Sequence, residues 1–264
     1  MITKNAKKTI LITGASSGLG QALAVEYAKL GYRLIISGRS KDRLDAVTKE
    51  CLRYTSEVFP KIIDVTNKPQ MHDWVKEVAA QFPIDIVIAN AGISAGTLGG
   101  AEATEQVYQI FDTNLYGVLN TILPAIEVML AQQSGQIVLI SSIAGILPMA
   151  SAPSYSTTKS ALKTLGDTLR VDLAKYGINV NIVIPGFIKT PLTDKNDFPM
   201  PFIKSSTEAA EIIITGIKQN KPYIYFPKAM FYLAKFISIF PRPLLDYIMK
   251  KLPAKRALQE KILN

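Results

Sequence analysis

Short apolar runs alternate with longer amphipathic segments along most of this 264-residue chain. The runs are rich in Ile, Val and Leu and end at glycine or small polar residues, which is typical of buried β-strands. We therefore predict seven strands, within residues 9–14, 33–38, 57–65, 84–92, 135–142, 178–186 and 222–226.

The segments between these runs carry apolar residues at helical spacing. Strands that are apolar throughout and alternate with helices indicate a parallel sheet covered on both faces. The predicted fold class is therefore α/β, a Rossmann-type doubly wound parallel sheet of about seven strands with a C-terminal helical extension. Helices are predicted at residues 21–31, 41–53, 68–82, 104–133 and 154–176, with a kink at Pro124 because proline disrupts helical hydrogen bonding.

No linker or internal repeat interrupts this alternation, so we predict one domain across residues 1–227 and a separate helical extension at 228–264. Glycine-rich and polar stretches follow the first, second, fourth, fifth and sixth strands. In open parallel sheets, ligands bind beyond the carboxyl ends of the strands, at the switch point in strand order. These stretches should therefore gather around one site.

Charge and rare residues narrow the possible partners. The formal net charge of +9 fits an anionic cofactor, an anionic membrane or nucleic acid. A single cysteine, Cys51, cannot form an internal disulfide, which fits a reducing, cytoplasmic compartment. Because His72 is the only histidine, neither a zinc site nor a Cys–His dyad is expected, and no metal is predicted. The N-terminus lacks the apolar run of a signal peptide, and no uncharged apolar stretch has the roughly 18–20 residues that span a bilayer.

The sequence TGASSGLG at residues 13–20 joins the first strand to the first helix. Gly14, Gly18 and Gly20 allow a tight turn that brings backbone N–H groups to a phosphate, and the helix N-terminus adds a partial positive charge. The spacing differs from GxGxxG, and a glycine turn alone is weak evidence. Its place between the first strand and the first helix favours a dinucleotide-binding catalytic domain.

Two charged residues near the ends of the next strands bear on the cofactor. Arg39 follows the second strand, where NAD enzymes place an acidic residue on the ribose 2′-hydroxyl. Arginine pairs well with a 2′-phosphate, so NADP(H) is favoured over NAD(H), unless Arg39 is an ordinary surface residue. Asp64 follows the third strand, where its carboxylate could accept a hydrogen bond from the adenine amino group.

The sequence YSTTK places Tyr155 four residues before Lys159 near the start of a predicted helix. Residues i and i+4 share a helix face, and a nearby positive charge favours a phenolate. We therefore expect Lys159 to lower the pKa of Tyr155, so that the phenol exchanges protons near neutral pH. A chance pairing is the alternative, since Tyr247 and Lys251 repeat the spacing and no chemistry is expected there.

Seven sequence elements together resemble the short-chain dehydrogenase/reductase superfamily, of the single-domain type, in both order and spacing. The resemblance covers residue 9 to about 226, and nothing after residue 227 belongs to the shared pattern. The elements are TGASSGLG at 13–20, DV at 64–65, NAG at 90–92, Asn114 in DTNLYG, ISS at 140–142, YSTTK at 155–159, and PG at 185–186 followed by Thr190.

The resemblance implies a catalytic tetrad. Asn114 would hold a water molecule in a proton relay, and Ser142 would hydrogen-bond the substrate carbonyl. Tyr155 would donate the proton in reduction or accept it in oxidation. Lys159 would bind the nicotinamide ribose and lower the tyrosine pKa.

The resemblance also implies the cofactor-binding set. NAG would line the ribose, and PG to Thr190 would hold the nicotinamide end. The full set is Gly14, Ser16, Ser17, Gly18, Leu19, Gly20, Arg39, Asp64, Val65, Asn90, Ala91, Gly92, Tyr155, Lys159, Pro185, Gly186, Ile188 and Thr190.

The extension at 228–264 holds eight basic and two acidic residues, which is most of the net positive charge. Its segment 228–240 is apolar nearly all round. Three interpretations remain open: packing on the same protomer or a second subunit, docking of 228–256 on an anionic membrane surface, or nucleic-acid binding. No recognisable nucleic-acid module is present, so nucleic acid is not a predicted partner.

These observations predict an NADP(H)-dependent oxidoreductase that interconverts a carbonyl and an alcohol, on an apolar or lipid-like ketone or aldehyde. The loops at 93–100 and 146–153 offer few charges for an ionic substrate. The alternatives are a 3-oxoacyl-thioester reductase of fatty-acid synthesis and, from another class, a non-catalytic NADP-sensing or scaffold protein. The expected chain is cytoplasmic, a homo-oligomer (dimer or tetramer), with peripheral membrane association as an option.

Overall fold

A computed structural model describes residues 7–97, 101–149, 151–194 and 196–251. Seven parallel strands form one sheet in the order β3-β2-β1-β4-β5-β6-β7. The strand order reverses between β1 and β4, which is the switch point where ligands bind in such sheets. The strands are β1 Thr9–Ile12, β2 Arg33–Gly38, β3 Val58–Ile62, β4 Ile86–Ala89, β5 Gly135–Ile140, β6 Ile178–Pro185 and β7 Tyr223–Phe226.

All seven predicted strands are present, and the α/β fold class is confirmed. The central strands are buried on both faces, as their continuous apolar sequences require. β3 is the exception, because four of its five residues are exposed and it contains Pro60. Proline cannot donate to a sheet ladder, and β3 lies at the sheet edge, where that loss is tolerated.

Helices cover both faces of the sheet. Leu23 of α1, Leu44 of α2 and Ile213 of α7 belong to one buried cluster. Trp74 of α3, Ile122 of α5 and Leu162 of α6 belong to the other. The helices are α1 Gly18–Lys29, α2 Lys41–Cys51, α3 Lys68–Gln81, α4 Thr104–Phe111, α5 Gly117–Gln132, α6 Pro153–Ala174, α7 Ser206–Lys218, α8 Lys228–Ile237 and α9 Arg242–Lys250.

Helix α7 is absent from the sequence-based prediction. It begins with a capping box, in which the Ser205 side chain accepts from the Glu208 N–H and the Glu208 carboxylate accepts from the Ser205 N–H. The pattern Ser-x-x-Glu before an apolar run was a readable signal for this helix.

The predicted helix at 104–133 is interrupted before its proline. A π-helical turn, Asp112–Tyr116, separates α4 from α5, and α5 continues through Pro124. The whole stretch Thr104–Gln132 is long and apolar enough to cross a bilayer by length and composition alone. However, Val118, Ile122 and Met129 are buried against the sheet, so the stretch packs as a core helix.

Candidate functional site

The loop after β1 turns sharply onto α1. Gly14 and Gly18 have φ angles of 66° and 58°, a left-handed conformation that favours glycine. A Cβ on Gly20 would lie 2.3 Å from the Gly14 carbonyl oxygen, so only glycine fits there. Ser17 is the N-cap of α1, and no acidic residue occupies the first turn of the helix. The loop thus presents a helix N-terminus that is suited to a phosphate.

Asn90 fastens this loop to the end of β4. Its Nδ2 donates to the carbonyl oxygens of Thr13, at 3.0 Å, and Gly14, at 3.2 Å. The Thr13 hydroxyl oxygen accepts from the N–H groups of Asn90 and Ala91. The Asn90 side chain therefore shapes the glycine loop, a role that the predicted ribose contact did not include.

The end of β2 lies beside the same loop. A Cβ on Gly38 would lie 2.8 Å from the Ser16 side chain, so glycine permits this close approach. Arg39 is 63% exposed, and its Nη1 lies 3.6 Å from Asp64 Oδ2. Burial alone would raise the pKa of Asp64, but hydrogen bonds from Thr66 and the Arg39 guanidinium lower it overall. A cation and a carboxylate thus stand at the outer end of the predicted cofactor site.

Tyr155, Lys159 and Ser142 meet beyond the end of β5. The Ser142 hydroxyl interacts with the Tyr155 phenol, whose pKa it lowers, and accepts from the Ala144 N–H at 3.1 Å. Lys159 is buried, and its Nζ donates to the Ile140 carbonyl oxygen at 2.8 Å. The same Nζ lies 5.7 Å from the centre of the Tyr155 ring. Two proton-exchanging groups and a hydroxyl therefore share one corner of the sheet edge.

Burial shifts both titratable groups. It raises the pKa of Tyr155, and the nearby Ser142 hydroxyl only partly opposes that shift. It lowers the pKa of Lys159 to about 8, because the charged ammonium loses its hydration. The expected lowering of the Tyr155 pKa is therefore wrong for the protein groups alone, because burial raises it.

Asn114 lies in the π-helical turn and is fully buried. Its amide makes two 2.8 Å hydrogen bonds with the backbone of Ile93, accepting from the N–H and donating to the carbonyl oxygen. A Cβ on Gly92 would lie 3.2 Å from Asn114 Oδ1 and 3.7 Å from Lys159 Nζ. The π turn thus brings Asn114 beside Lys159, as is common for such turns at functional sites.

The segment after β6 closes the site from the other side. Thr190 approaches the glycine loop, because a Cβ on Gly18 would lie 3.2 Å from its side chain. A Cβ on Gly186 would lie 2.9 Å from Met230 Sδ, 3.0 Å from Pro227 and 3.4 Å from Ile143. The start of α8 therefore packs beside the residue that follows Ser142.

The predicted residues gather along this sheet edge, but not all expose a side chain there. Leu19, Val65 and Ile188 are buried in the two core clusters, so only their backbone groups remain for a ligand. Sequence analysis missed Glu102 and Met230, which contact the site from distant parts of the chain. The sequence offered no local signal for either contact.

A separate cleft, with a volume of about 720 Å³, lies between α6 and α9. Its α6 lining includes Ser156, Ser160 and Thr164, and neither Tyr155 nor Lys159 is among its lining residues. The second tyrosine–lysine pair, on α9, forms a direct 2.6 Å hydrogen bond between Lys251 Nζ and the Tyr247 hydroxyl. That pair is exposed, so it lacks the burial that shifts the first.

The arrangement suits a bound nicotinamide dinucleotide. The glycine loop and the N-terminus of α1 could hold the phosphates, with Arg39 and Asp64 at the adenosine end. Tyr155 and Lys159 lie at the other end, where Lys159 is close to Gly92. Within the described ranges, no group of three or more His, Cys, Asp or Glu side chains is placed to hold a metal ion.

Comparison with known proteins agrees with this geometry. An uncharacterized oxidoreductase of Myxococcus xanthus is 34% identical over 246 residues, covering 93% of this chain and 97% of the relative. The aligned 246 residues outnumber the 227 residues of the predicted domain, so the similarity must include part of the extension. The 3-oxoacyl-[acyl-carrier-protein] reductase FabG of Thermotoga maritima is 34% identical over 228 residues, covering 82% of this chain and 93% of the relative.

A crystal structure supports the fold. A short chain dehydrogenase/reductase from Burkholderia phymatum, in complex with NAD, superposes with a TM-score of 0.81 at 22% identity. The match covers 96% of this chain and 98% of the other. Residues 8–199 match the sequence pattern described as short chain dehydrogenase. The chain therefore belongs to the short-chain dehydrogenase/reductase superfamily and is an oxidoreductase that acts on CH–OH groups with a nicotinamide cofactor.

Proposed function

We propose that this chain is an NADP(H)-dependent reductase that interconverts a carbonyl and an alcohol on an apolar or lipid-like ketone or aldehyde. The observation that carries the proposal is the buried Lys159, whose Nζ lies 5.7 Å from the centre of the Tyr155 ring, with the Ser142 hydroxyl on the same phenol. These groups lie at the carboxyl edge of a sheet whose glycine loop fits a dinucleotide.

Each member of the tetrad has a role that its position supports. Ser142 orients the substrate carbonyl, and Tyr155 gives that oxygen its proton in reduction. Lys159 holds the nicotinamide ribose, and Asn114 completes a proton relay through water. The nicotinamide, when bound, supplies or accepts the hydride. A phenol is protonated near neutral pH, and burial raises the pKa of Tyr155 further, so the proton that reduction needs is in place before the reaction.

The NADP(H) preference rests on Arg39, whose exposed guanidinium could pair with a 2′-phosphate. Replacing Arg39 with Ala should weaken NADPH binding by about 10- to 100-fold, since a charge-assisted hydrogen bond contributes roughly 1.5–3 kcal/mol. NADH binding should stay within about twofold. Lys41→Ala, which removes another exposed cation nearby, is the control for general electrostatics. Equal losses for both cofactors in a titration of cofactor fluorescence would contradict this use of Arg39.

An apolar substrate is supported by the residues beside Ser142. Ile143 and Met230 both approach Gly186, and Phe187 contacts Phe198 with ring centres 6.0 Å apart. The predicted apolar loops at 93–100 and 146–153 lie partly outside the described residues, which omit 98–100 and 150. The proposed residues 1–227 would thus form the catalytic domain, with 228–264 as an extension that contributes Met230.

The partner proposed for the extension is an anionic membrane surface. Tyr232, Leu233, Phe236 and Ile239 are each more than half exposed on or just after α8. The segment 228–251 holds five basic residues and one acidic residue, Asp246, and residues 252–256 lie outside the described part. An apolar face with flanking cations fits anionic headgroups. We accordingly propose a cytoplasmic homo-oligomer, dimer or tetramer, that associates peripherally with membranes.

Two alternative functions can be distinguished by experiment from the proposed reduction of an apolar ketone or aldehyde. The Thermotoga relative favours a 3-oxoacyl-thioester substrate. A non-catalytic NADP-sensing or scaffold protein would bind cofactor without turnover, and the complete tetrad argues against it.

The test is NADPH consumption, followed by absorbance, against apolar ketones, aldehydes and 3-oxoacyl thioesters. Tyr155→Phe should abolish turnover and retain cofactor binding. Tyr247→Phe is the matched control, because it alters the exposed tyrosine–lysine pair and should leave turnover unchanged. Saturable NADPH binding with no turnover on any compound would contradict the reductase and favour the sensor. A preference for the thioester would select the first alternative.

A further inference from the structure

The helix that carries Tyr155 begins without a cap of its own. Its N-cap residue is Ala152, which has no side-chain acceptor, and Pro153 fills the first helical position. The first N–H groups of a helix have no partner within the helix and need acceptors from elsewhere. The residue that meets this need is therefore distant in sequence.

That acceptor is the carboxylate of Glu102, which lies between β4 and α4. Glu102 Oε2 accepts from the Ser154 N–H at 3.0 Å, and Oε1 accepts from the Ser154 hydroxyl at 2.8 Å. Gln106 Nε2 donates to Glu102 Oε1 and to the Gly96 carbonyl oxygen, each at 3.2 Å. Ser154 and Gln106 are both buried, so the network is shielded from water.

The network fixes the segment after β4 against the start of α6. Ser154 directly precedes Tyr155, so the carboxylate holds the backbone one residue from the phenol. The Thr97 N–H also donates to the Ser151 carbonyl oxygen at 2.8 Å, and Ile93 is held by Asn114. The negative charge of Glu102 also stabilises α6, because the N-terminus of a helix is partially positive.

We propose that Glu102 is a positioning residue for the proton-transferring Tyr155, an inference that rests on the proposed reductase function. Glu102 caps the catalytic helix across 52 residues of sequence and thereby sets the place of Tyr155 against Ser142. Neither the family motif nor local sequence assigns it this role.

Glu102→Gln is the most conservative test, because it keeps the shape of the side chain. If the amide oxygen keeps the bond from the Ser154 N–H, its NH2 group takes the place of Oε1 and faces the Gln106 Nε2 donor, and the negative charge at the helix N-terminus is lost. We expect kcat to fall about tenfold, since small displacements of a reacting group slow chemistry strongly. The KM for NADPH should stay within about twofold, because the glycine loop is held separately by Asn90.

Two further variants and one independent readout complete the design. Ser154→Ala removes only the hydroxyl bond and should lower kcat by about threefold. Glu105→Gln changes an exposed carboxylate on the first turn of α4 and should leave kcat unchanged. Hydrogen exchange of the amides of residues 154–158 should be about fivefold faster in Glu102→Gln and unchanged in Glu105→Gln.

The outcomes separate this inference from the function on which it rests. Wild-type kcat in both Glu102→Gln and Ser154→Ala would overturn it, and so would faster exchange with unchanged kcat. An equal loss in Glu105→Gln would also overturn it, because the effect would then be general. If Glu102→Gln does not fold, an unchanged kcat in Ser154→Ala still contradicts the inference. A wild type without Tyr155-dependent turnover would contradict the proposed function, and this inference with it.

Discussion

Lys159 meets two opposing physical requirements at one side chain. Its ammonium must lie beside Tyr155 and the cofactor site, yet burial there removes its hydration and lowers its pKa to about 8 from 10.5. That shift corresponds to roughly 3 kcal/mol of unfavourable free energy while the group is charged. The charge-assisted hydrogen bond to the Ile140 carbonyl offsets part of that cost, by roughly 1.5–3 kcal/mol. At neutral pH, the buried charge of Lys159 therefore destabilises the fold, a cost that fits its proposed role in the reaction.

Replacing Lys159 with Met should stabilise the protein at pH 7 by about 1–2 kcal/mol while turnover is lost. Methionine fills a similar volume without a charge to desolvate. The difference in stability between the variant and the wild type should change sign as the pH rises. Because the folded pKa lies below the unfolded one, the unfolded wild type binds more protons between pH 8 and 10.5, and wild-type stability rises with pH across that window.

Urea unfolding at pH 7 and at pH 10 measures the sign of the stability difference between Lys159→Met and the wild type at each pH. At pH 10 the wild type has regained most of the desolvation cost and should be the more stable protein. Lys163→Met, which alters a lysine paired with Asp167 on the same helix, is the control. A Lys159→Met variant that is less stable than wild type at pH 7 would contradict the argument.

At the scale of elements, the join between β1 and α1 depends on close backbone packing. A Cβ on Gly20 would lie 2.3 Å from the Gly14 carbonyl oxygen and 2.5 Å from Asn90 Nδ2. Both atoms belong to the network that shapes the cofactor loop. Strain at Gly20 should therefore disturb stability and cofactor binding together.

Gly20→Ala should lower the free energy of unfolding by about 2–3 kcal/mol or more, the typical cost of overpacking a tight site. It should also weaken NADPH binding at least about tenfold. Gly31→Ala is the matched control at the other end of α1. Gly31 has a φ of 77° and open space around its Cα, so alanine there adds only backbone strain of about 1–2 kcal/mol. Equal effects of the two variants on NADPH affinity, measured by titration, would show that packing at Gly20 is unimportant.

The elements also show what the sequence could and could not reveal. Apolar runs located the central strands because burial on both faces leaves a continuous hydrophobic signal, whereas the edge strand β3 is mostly exposed. Helix α7 was missed although its Ser205–Glu208 capping box is local and readable. The sequence predicted a kink at Pro124, but the helix is interrupted at the π turn around Asn114. That turn is accompanied by hydrogen bonds between Asn114 and the backbone of Ile93, which are tertiary contacts that a local pattern does not show. The sign of the Tyr155 pKa shift also depends on burial, which the spacing of YSTTK cannot show.

At the scale of the whole molecule, α8 joins the site to the surface. Phe231 stacks on Tyr225 of β7 with ring centres 4.1 Å apart, and Met230 reaches Gly186. Helix α9 buries no residue fully, and its Leu244 and Tyr247 are exposed. A second copy placed on this face would bring like charges together, whereas an anionic lipid surface is complementary to them.

The full chain should therefore sediment with vesicles that contain anionic lipid and much less with zwitterionic ones. Phe236→Ser removes an exposed apolar group, and Lys235→Glu reverses a charge beside it. Each change should weaken binding at least about fivefold, since one basic residue near such a surface contributes roughly 1 kcal/mol. Higher salt should reduce wild-type binding, because it screens exposed charges.

Tyr108→Ser and Lys41→Glu are the matched controls, because they change an exposed aromatic residue and an exposed lysine on other helices. Both should bind vesicles as the wild type does. Equal pelleting of Phe236→Ser and wild type would reject the membrane surface. If Phe236→Ser instead lost self-association in light scattering while it kept vesicle binding, the apolar face would belong to a second copy of the chain. The two physical explanations for one exposed surface, lipid and subunit, thus predict opposite results for the same substitution.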